Sequence, residues 1–341
     1  MKQAIVDAKR QMQNWHQWQD AAVPEAAADL PLSRSWQWFG FEPLGTLNHR
    51  EEFLQQFWRP LRQALSGFRR ETHILLGGFS SGKVDGSPDG ALWTGATGWF
   101  HGRLEHEWLG IRGSGEQVQL RWAEFHHHAQ GVIQRTYLLV DLIDLLEQLG
   151  CSVLPRSRGA EGVYPPPLTG DGRVPDDPLE DETQASLRLI REFLFEGLNR
   201  FDQSQLQSMG VARYFHPAVR WYGPGGIGFC NGLQEFEDLH QKPWLHAFPD
   251  RKIQDLDSLF AEGAYVGSSG WDGVIAVHSG EYLQTPASGN RISFNGIDFW
   301  RREGDQFVEN WVFVDMIHLF RQFGVDLLAR VQRSGRTSGG A

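Results

Sequence analysis

The sequence predicts an α+β protein made of two copies of one domain. Three observations carry this reading. One segment repeats without a gap, a proline-rich stretch divides the chain near its middle, and in each half helical periodicity comes first and strand periodicity follows. Sliding residues 114–150 onto 288–324, an offset of 174, leaves nine identities: Ser114, Gly115, Phe125, Val140, Asp141, Ile143, Leu145, Gln148 and Gly150. Other positions exchange like for like, such as Val118 for Ile292, Glu124 for Asp298 and Tyr137 for Trp311. A gapless match of that length marks an internal duplication. Two copies are too few for a solenoid, so each half reads as a domain.

In chain order, residues 1–30 read as an N-terminal helix. Residues 31–150 form a first domain, with helical "NHREEFLQQFWRPLRQAL" followed by strands from His73 to Asp141. Residues 151–185 are rich in proline, glycine and acids and keep no period, which is the composition of a linker. Residues 186–330 form a second domain. There "ASLRLIREFLFEGLNRF" has helical spacing, and "LQEFEDLHQKPWLHAF" is a shorter helix ending around Pro249. Four strand-like runs follow, from "KIQDLDSLFAEG" to "DQFVENWVFVD", separated by glycine-rich or charged turns. Residues 331–341 read as a disordered tail.

Composition excludes several classes of function. The net charge of −10 argues against nucleic acid or an anionic membrane as partner, since both need a basic face. Two cysteines, Cys151 and Cys230, offer neither a disulfide framework nor metal-binding spacing. The start of the chain has no apolar core of a secretory signal, and no stretch approaches 18 apolar residues. A cytoplasmic protein with reduced thiols is expected. Fourteen tryptophans supply large apolar faces, for a core or for the wall of a pocket.

Three glycine- or histidine-rich stretches invite other readings. "GGFSSGKV" spaces Gly77, Gly82 and Lys83 like a phosphate loop, but Val84 replaces the hydroxyl that such a loop needs, and no helix follows. In "HHH" only His126 and His128 share a strand face, and a solvent-exposed strand end is expected rather than a metal site. "GPGGIG", residues 223–228, reads as a tight turn beside a pocket.

The last strand presents Phe307, Glu309, Trp311, Phe313 and Asp315 on one face, and Val308, Asn310, Val312 and Val314 on the other. The first face reads as either the rim of a core or a pocket wall. The matching face of the first half carries Ile133, Arg135, Tyr137, Leu139 and Asp141.

The ordered set "HPAVRWYGPGGIG", "HAFPDRKI", "AVHSG", "SGNRISFNGIDFWRREGDQFVENWVFVD" and "LFRQFG" resembles the SnoaL-like polyketide cyclases of the nuclear-transport-factor-2-like superfamily. Their pattern runs "AFPD", "GTHxG", "PxGxxVxxxGxDxxR", "GKIxExWxxxD" and a terminal "QLG". Residues 186–330 follow it closely, and residues 30–150 follow it through the repeat. The first half lacks "AFPD" and "GPGG", and an insertion near "EHEW" disturbs its register. The resemblance implies a cone-shaped fold, with helices closing over a curved sheet and an apolar pocket between them. It implies ring closure by intramolecular aldol condensation with no cofactor and no metal.

In that frame Asp315 matches the family's acid/base carboxylate and His278 the histidine of the "GTHxG" strand. A carboxyl group at the apolar end of a strand is desolvated, which raises its pKa and suits it to proton transfer next to a carbonyl. The same Asp315 also reads as a helix cap, and the two roles are compatible. Trp221, Tyr222, Trp271 and Trp311 are candidates for stacking on a flat substrate, with Asp272 and Glu309 as polar neighbours. Glu309 and Asn310 lie on opposite faces, so at most one of them lines the pocket. A second site in the first half would use Asp141, Tyr137 and His101, which roughly occupies the place of His278 in the repeat. The expected partner is a small hydrophobic or aromatic carbonyl compound, for cyclisation, isomerisation or dehydration. The competing reading is a non-catalytic binding or assembly module. The duplication further suggests an internal pseudo-dimer of the two halves, with homo-oligomerisation beyond it as an option.

Overall fold

The computed structural model of the chain describes residues 1–21, 30–200 and 210–331. From residue 332 onward, the tail expected to be disordered lies outside the described residues, as do residues 22–29 of the N-terminal segment.

The fold is α+β, with two sheets that each carry helices. The first sheet holds β1 (Leu32–Phe39), β2 (Thr46–Leu47), β3 (Leu65–Phe79), β4 (Leu92–Leu104), β5 (Gln117–Ala129) and β6 (Val132–Val140), in the order β2-β1-β6-β5-β4-β3. The second holds β7 (Phe215–Tyr222), β8 (Phe229–Asn231), β9 (Lys252–Ile253), β10 (Ser258–Glu262), β11 (Tyr265–Val277), β12 (Arg291–Glu303) and β13 (Gln306–Val314). Its order is β10-β11-β12-β13-β7-β8, with β9 on β11. In each sheet the first long strand pairs in parallel with the last, β1 with β6 and β7 with β13, and the other pairings are antiparallel. The offset of 174 carries β5 onto β12, β6 onto β13, and the closing helix Leu142–Gln148 onto Met316–Gln322. The duplication read from sequence is therefore a structural one.

Each sheet has a helical cover. In the first half it is the helix Lys2–Asp20 and a helical run over residues 50–64. In the second it is Glu180–Arg191, continued as wider turns over Glu192–Leu198, and a run over residues 233–247. Pro60 and Pro243 lie inside these runs, each directly after a stretch of wider turns, Leu54–Trp58 and Phe236–Gln241. Glu180, Asp181 and Glu182 occupy a first turn, which favours acids.

The opposite faces of the sheets meet. Phe125 packs on Phe260 and Phe299, with ring centres 5.4 and 5.2 Å apart, and Tyr137 meets Trp271 edge-on at 5.0 Å. At one edge the Ser81 N–H donates to the Leu259 carbonyl (2.7 Å) and the Leu256 N–H to that of Gly82 (3.0 Å). Gly78 permits this approach, since a Cβ there would stand 2.9 Å from the Ala261 carbonyl oxygen. Lys9, on the first helix, reaches Glu262 of the second half at 2.8 Å.

Residues 151–179 contain no helix and no named strand, as a linker composition predicts, but they are packed rather than free. Tyr164 is buried between the sheets, with its hydroxyl 2.6 Å from that of Thr97. The indole N–H groups of Trp99 and Trp311 donate to the Tyr164 and Pro165 carbonyls, each at 3.0 Å. An aperiodic segment hides such order from sequence because its bonds go to distant partners.

The three stretches with competing readings resolve as follows. β3 ends at Phe79, and Lys83 pairs with Asp255 at 3.1 Å in a loop with no helix after it. Residues 223–228 form a turn, with Gly226 and Gly228 at φ of 88° and 84°. His126 and His128 do share a face of β5, but both are buried, which corrects the expectation of an exposed strand end.

Candidate functional site

An apolar cavity of about 160 Å³ opens between the helices and the sheet of the second half. Phe193, Leu194, Trp221, Phe236, His240 and Trp244 line it from the helical side and β7. From the sheet it is lined by Gly296, Asp298, Trp300, Asn310, Val312 and Val314. Small residues on β11, namely Ser268, Gly270 and Gly273, leave it room. Turn residues Pro224 and Ile227 reach its edge, as expected for the glycine-rich turn.

Strand parity explains which side chains enter. Asn310, Val312 and Val314 alternate onto the cavity face of β13, and Asp298 stands opposite Val312 in the ladder, so it shares that face. Asp298 is the one carboxyl group among the described lining residues. Desolvation pushes its pKa up to about 7, against a hydrogen bond from Asn310 that pulls the other way. The carboxyl is enclosed by protein yet partly accessible, because the space beside it is the cavity itself. His240 stacks on Trp221 with ring centres 4.2 Å apart, and burial lowers its pKa to about 3, so its imidazole is neutral at physiological pH.

The expected site residues distribute differently. Trp221 lines the cavity. Asp315 does not: its carboxylate accepts the His318 N–H at 2.9 Å, capping the closing helix, and the Glu42 N–H of the first half at 2.8 Å. Its pKa is raised to about 6 by burial, as its place at an apolar strand end predicts. His278 is buried outside the lining. Its ring stacks on Phe323 at 3.8 Å, and Nδ1 accepts the Ser288 N–H at 3.2 Å.

Glu309, Trp311 and Tyr222 lie on the sheet face turned away from the cavity. Glu309 is fully buried, pairs with Arg301, and accepts the Leu168 N–H (3.2 Å) and the Tyr222 hydroxyl (3.3 Å). Trp311 stacks on Tyr222 at 5.3 Å. Of the pair Glu309 and Asn310, it is Asn310 that enters the cavity. Trp271 packs on Tyr137. Asp272 is exposed, with φ of 60° at a bulge between Gly270 and Val274, and its carboxylate accepts the Ser293 hydroxyl.

The three residues considered for a second site do not converge either. Asp141 pairs with Arg121, caps Asp144 at 2.9 Å and accepts the Gly225 N–H at 2.8 Å. Tyr137 donates to Asp257 at 3.1 Å. His101 shares Glu71 with His73, each pair at 3.0 Å. In register His101 faces Gln119, whose counterpart Ser293 faces Ile275, so His101 does not stand in the place of His278. Among the described residues no group of three or more His, Cys, Asp or Glu is arranged to hold a metal ion, and no helix is long and apolar enough to cross a membrane.

Sequence reasoning missed Asp298, His240 and Asn310 as a group. The signal for Asp298 lies in the "GxDxxR" part of the family pattern, which "GIDFWR" fulfils with Gly296, Asp298 and Arg301.

The second half is thus a cone of helices over a mostly antiparallel sheet, with an apolar cavity and one desolvated carboxyl inside. Residues 190–323 match the family model of the SnoaL-like polyketide cyclases. Among solved structures, AclR from Streptomyces galilaeus, assigned as a hydroxylase, matches at 23% identity over 42% of this chain and 97% of its own, with a TM-score of 0.34. A protein of Jannaschia sp. CCS1 assigned to the SnoaL-like polyketide cyclases matches at 13% identity over 44% of this chain and 98% of its own, with a TM-score of 0.37. IdmH from Streptomyces antibioticus, assigned as a polyketide cyclase, matches at 18% identity over 41% and 99%, with a TM-score of 0.33. No curated protein matches the sequence.

Proposed function

We propose that the second half binds a hydrophobic, ring-forming carbonyl compound in this cavity and moves a proton on it through Asp298. The observation that carries the reading is the solitary Asp298 carboxyl in an apolar cavity, with a pKa of about 7. A group so poised is ionised often enough to take a proton from the carbon next to a carbonyl. Its protonated form is acid enough to return one to oxygen. Asn310 orients the carboxyl, and the neutral His240 offers a hydrogen bond to the substrate's oxygen. Trp221 and Trp244 supply flat faces for the ring system. Intramolecular aldol closure, isomerisation and dehydration all need this one exchange of a proton and no cofactor. The match of residues 190–323 to the family model of the SnoaL-like polyketide cyclases supports the cyclase type of step.

We further propose that Asp315 and Asp141 serve the pairing of the two halves, which act as an internal pseudo-dimer. The acidic chain, with both cysteines free, suits the cytoplasm.

The test is solvent deuterium exchange at the α-carbon of cyclic and aromatic ketones, followed by NMR with the full-length protein. Exchange that is catalysed by wild type, and lost in Asp298→Asn while the ketone still binds, supports acid/base catalysis. Binding without exchange in wild type favours the non-catalytic binding module.

A further inference from the structure

The first half holds the counterpart of Asp298, and it is occupied. The offset of 174 pairs Glu124 with Asp298, and the ladders agree, since Glu124 faces Leu138 as Asp298 faces Val312. Glu124 is fully buried with both oxygens engaged. Oε1 accepts the Trp15 indole N–H at 2.9 Å, and Oε2 meets His16 Nε2 at 2.7 Å. These two partners come from the helix Lys2–Asp20, while His126 of β5 stands 3.3 Å from Oε1. That helix has the same role as the one over residues 180–198. Its buried Ala8, Met12, Trp15, His16 and Gln19 fall, at an offset of 178, on Ser186, Ile190, Phe193, Leu194 and Gly197, all buried. Phe193 and Leu194 border the open cavity, and their side chains have no N–H to give a carboxylate.

Two of the four rings around Trp15 correspond as well. Its neighbours Phe53 (5.4 Å) and His126 (5.9 Å) match the cavity residues Phe236 and Trp300. His16 packs edge-on against Trp122 at 5.3 Å, and Trp122 matches Gly296, where a Cβ would meet only the Phe313 carbonyl oxygen, at 3.3 Å. The same frame is therefore filled by its own side chains in one half and left open in the other.

We infer that the first half is a self-liganded copy of the site, in which Trp15 and His16 stand where a ligand stands in the second half. The ligand of the Asp298 cavity is accordingly a planar aromatic molecule that presents a ring N–H, or an enolic or phenolic O–H, to the carboxylate. This rests on the reading of the cavity as a small-molecule site and specifies what that site selects. It also makes the first half a scaffold without a ligand of its own.

The test compares indole with indene, its hydrocarbon isostere, by calorimetry on the full-length protein. Indole is expected to bind at least about tenfold more tightly, because indene leaves a buried acceptor unpaired. Asp298→Leu is expected to erase that preference while still binding the ring. Equal affinity of the two rings for wild type overturns the proposal but leaves the cavity as a binding site. Failure of both to bind overturns the proposal together with that reading. As a second variant, Phe193→Trp combined with Leu194→His installs the internal partners of the first half. It is expected to abolish indole binding, and undiminished binding by a folded double variant overturns the equivalence of the two helices.

Discussion

The Asp315 carboxylate accepts the backbone N–H of Glu42, from the other half of the chain, at 2.8 Å. The relation is reciprocal, because Asp141 accepts the N–H of Gly225 at the same distance. Glu42 and Gly225 each lie three residues beyond the first long strand of their half. Each acid also caps its own closing helix. One carboxylate thus ties a helix start to the opposite domain, twice, as in an isologous contact.

Asp315→Ala should destabilise the protein by about 3 kcal/mol, from a lost cap and a stranded Glu42 N–H. Asp141→Ala should cost more, since it also leaves the buried Arg121 without its carboxylate partner. Urea denaturation measures both, and a loss under about 0.5 kcal/mol for either would mean that the clamp is idle.

The contribution of Asp298 to stability should fall as pH rises through the acid range. The folded pKa of Asp298, about 7, lies above its unfolded value, so the folded state holds the proton more tightly. Its favourable contribution is complete below about pH 4 and is lost as pH rises through 7. Asp315, at about 6, acts with the same sign. Asp298→Asn should therefore be more stable than wild type at pH 8, by on the order of 2 kcal/mol, with the gain vanishing at pH 4. A variant less stable than wild type at pH 8 would show that Asp298 is paired, not desolvated.

Truncations should cost unequally in the two halves. Trp15 packs on Trp18, Trp36 and Phe53 with centres 5.2 to 5.8 Å apart, so Trp15→Ala should cost about 3–5 kcal/mol. Phe193→Ala should cost clearly less, because the cavity already removes contacts from one side of that ring. Thermal denaturation of both variants gives the comparison.

His278→Ala should lower stability, through the lost stack on Phe323, and leave indole affinity within about twofold. A tenfold loss of affinity, measured by calorimetry in a folded variant, would return His278 to the binding site.

The repeat and the α+β order were legible because Val140–Gly150 and Val314–Gly324 keep the same side chains at the same spacing. The choice of acid was not. Asp315 stands out in sequence as a charge in an apolar run, and that conspicuousness reflects two backbone N–H bonds rather than a ligand. Parity correctly separated Asn310 from Glu309 but did not say which face holds the cavity. Both faces of this sheet are buried, one under helices and one against the other sheet, so alternation carries no polarity signal. The exchange of Trp122 for Gly296, two residues before Glu124 and Asp298, was visible in the alignment and marks the emptied side. The role of residues 151–179 had no such mark, since Tyr164 and Pro165 find their partners far along the chain.

The central claim, that Asp298 is the desolvated acid of the cavity, is tested most directly by a carbon-13 NMR titration of its carboxyl group in the full-length protein, assigned by comparison with Asp298→Asn. The account predicts a midpoint of about 7; a midpoint near the ordinary aspartate value of about 4 would contradict it.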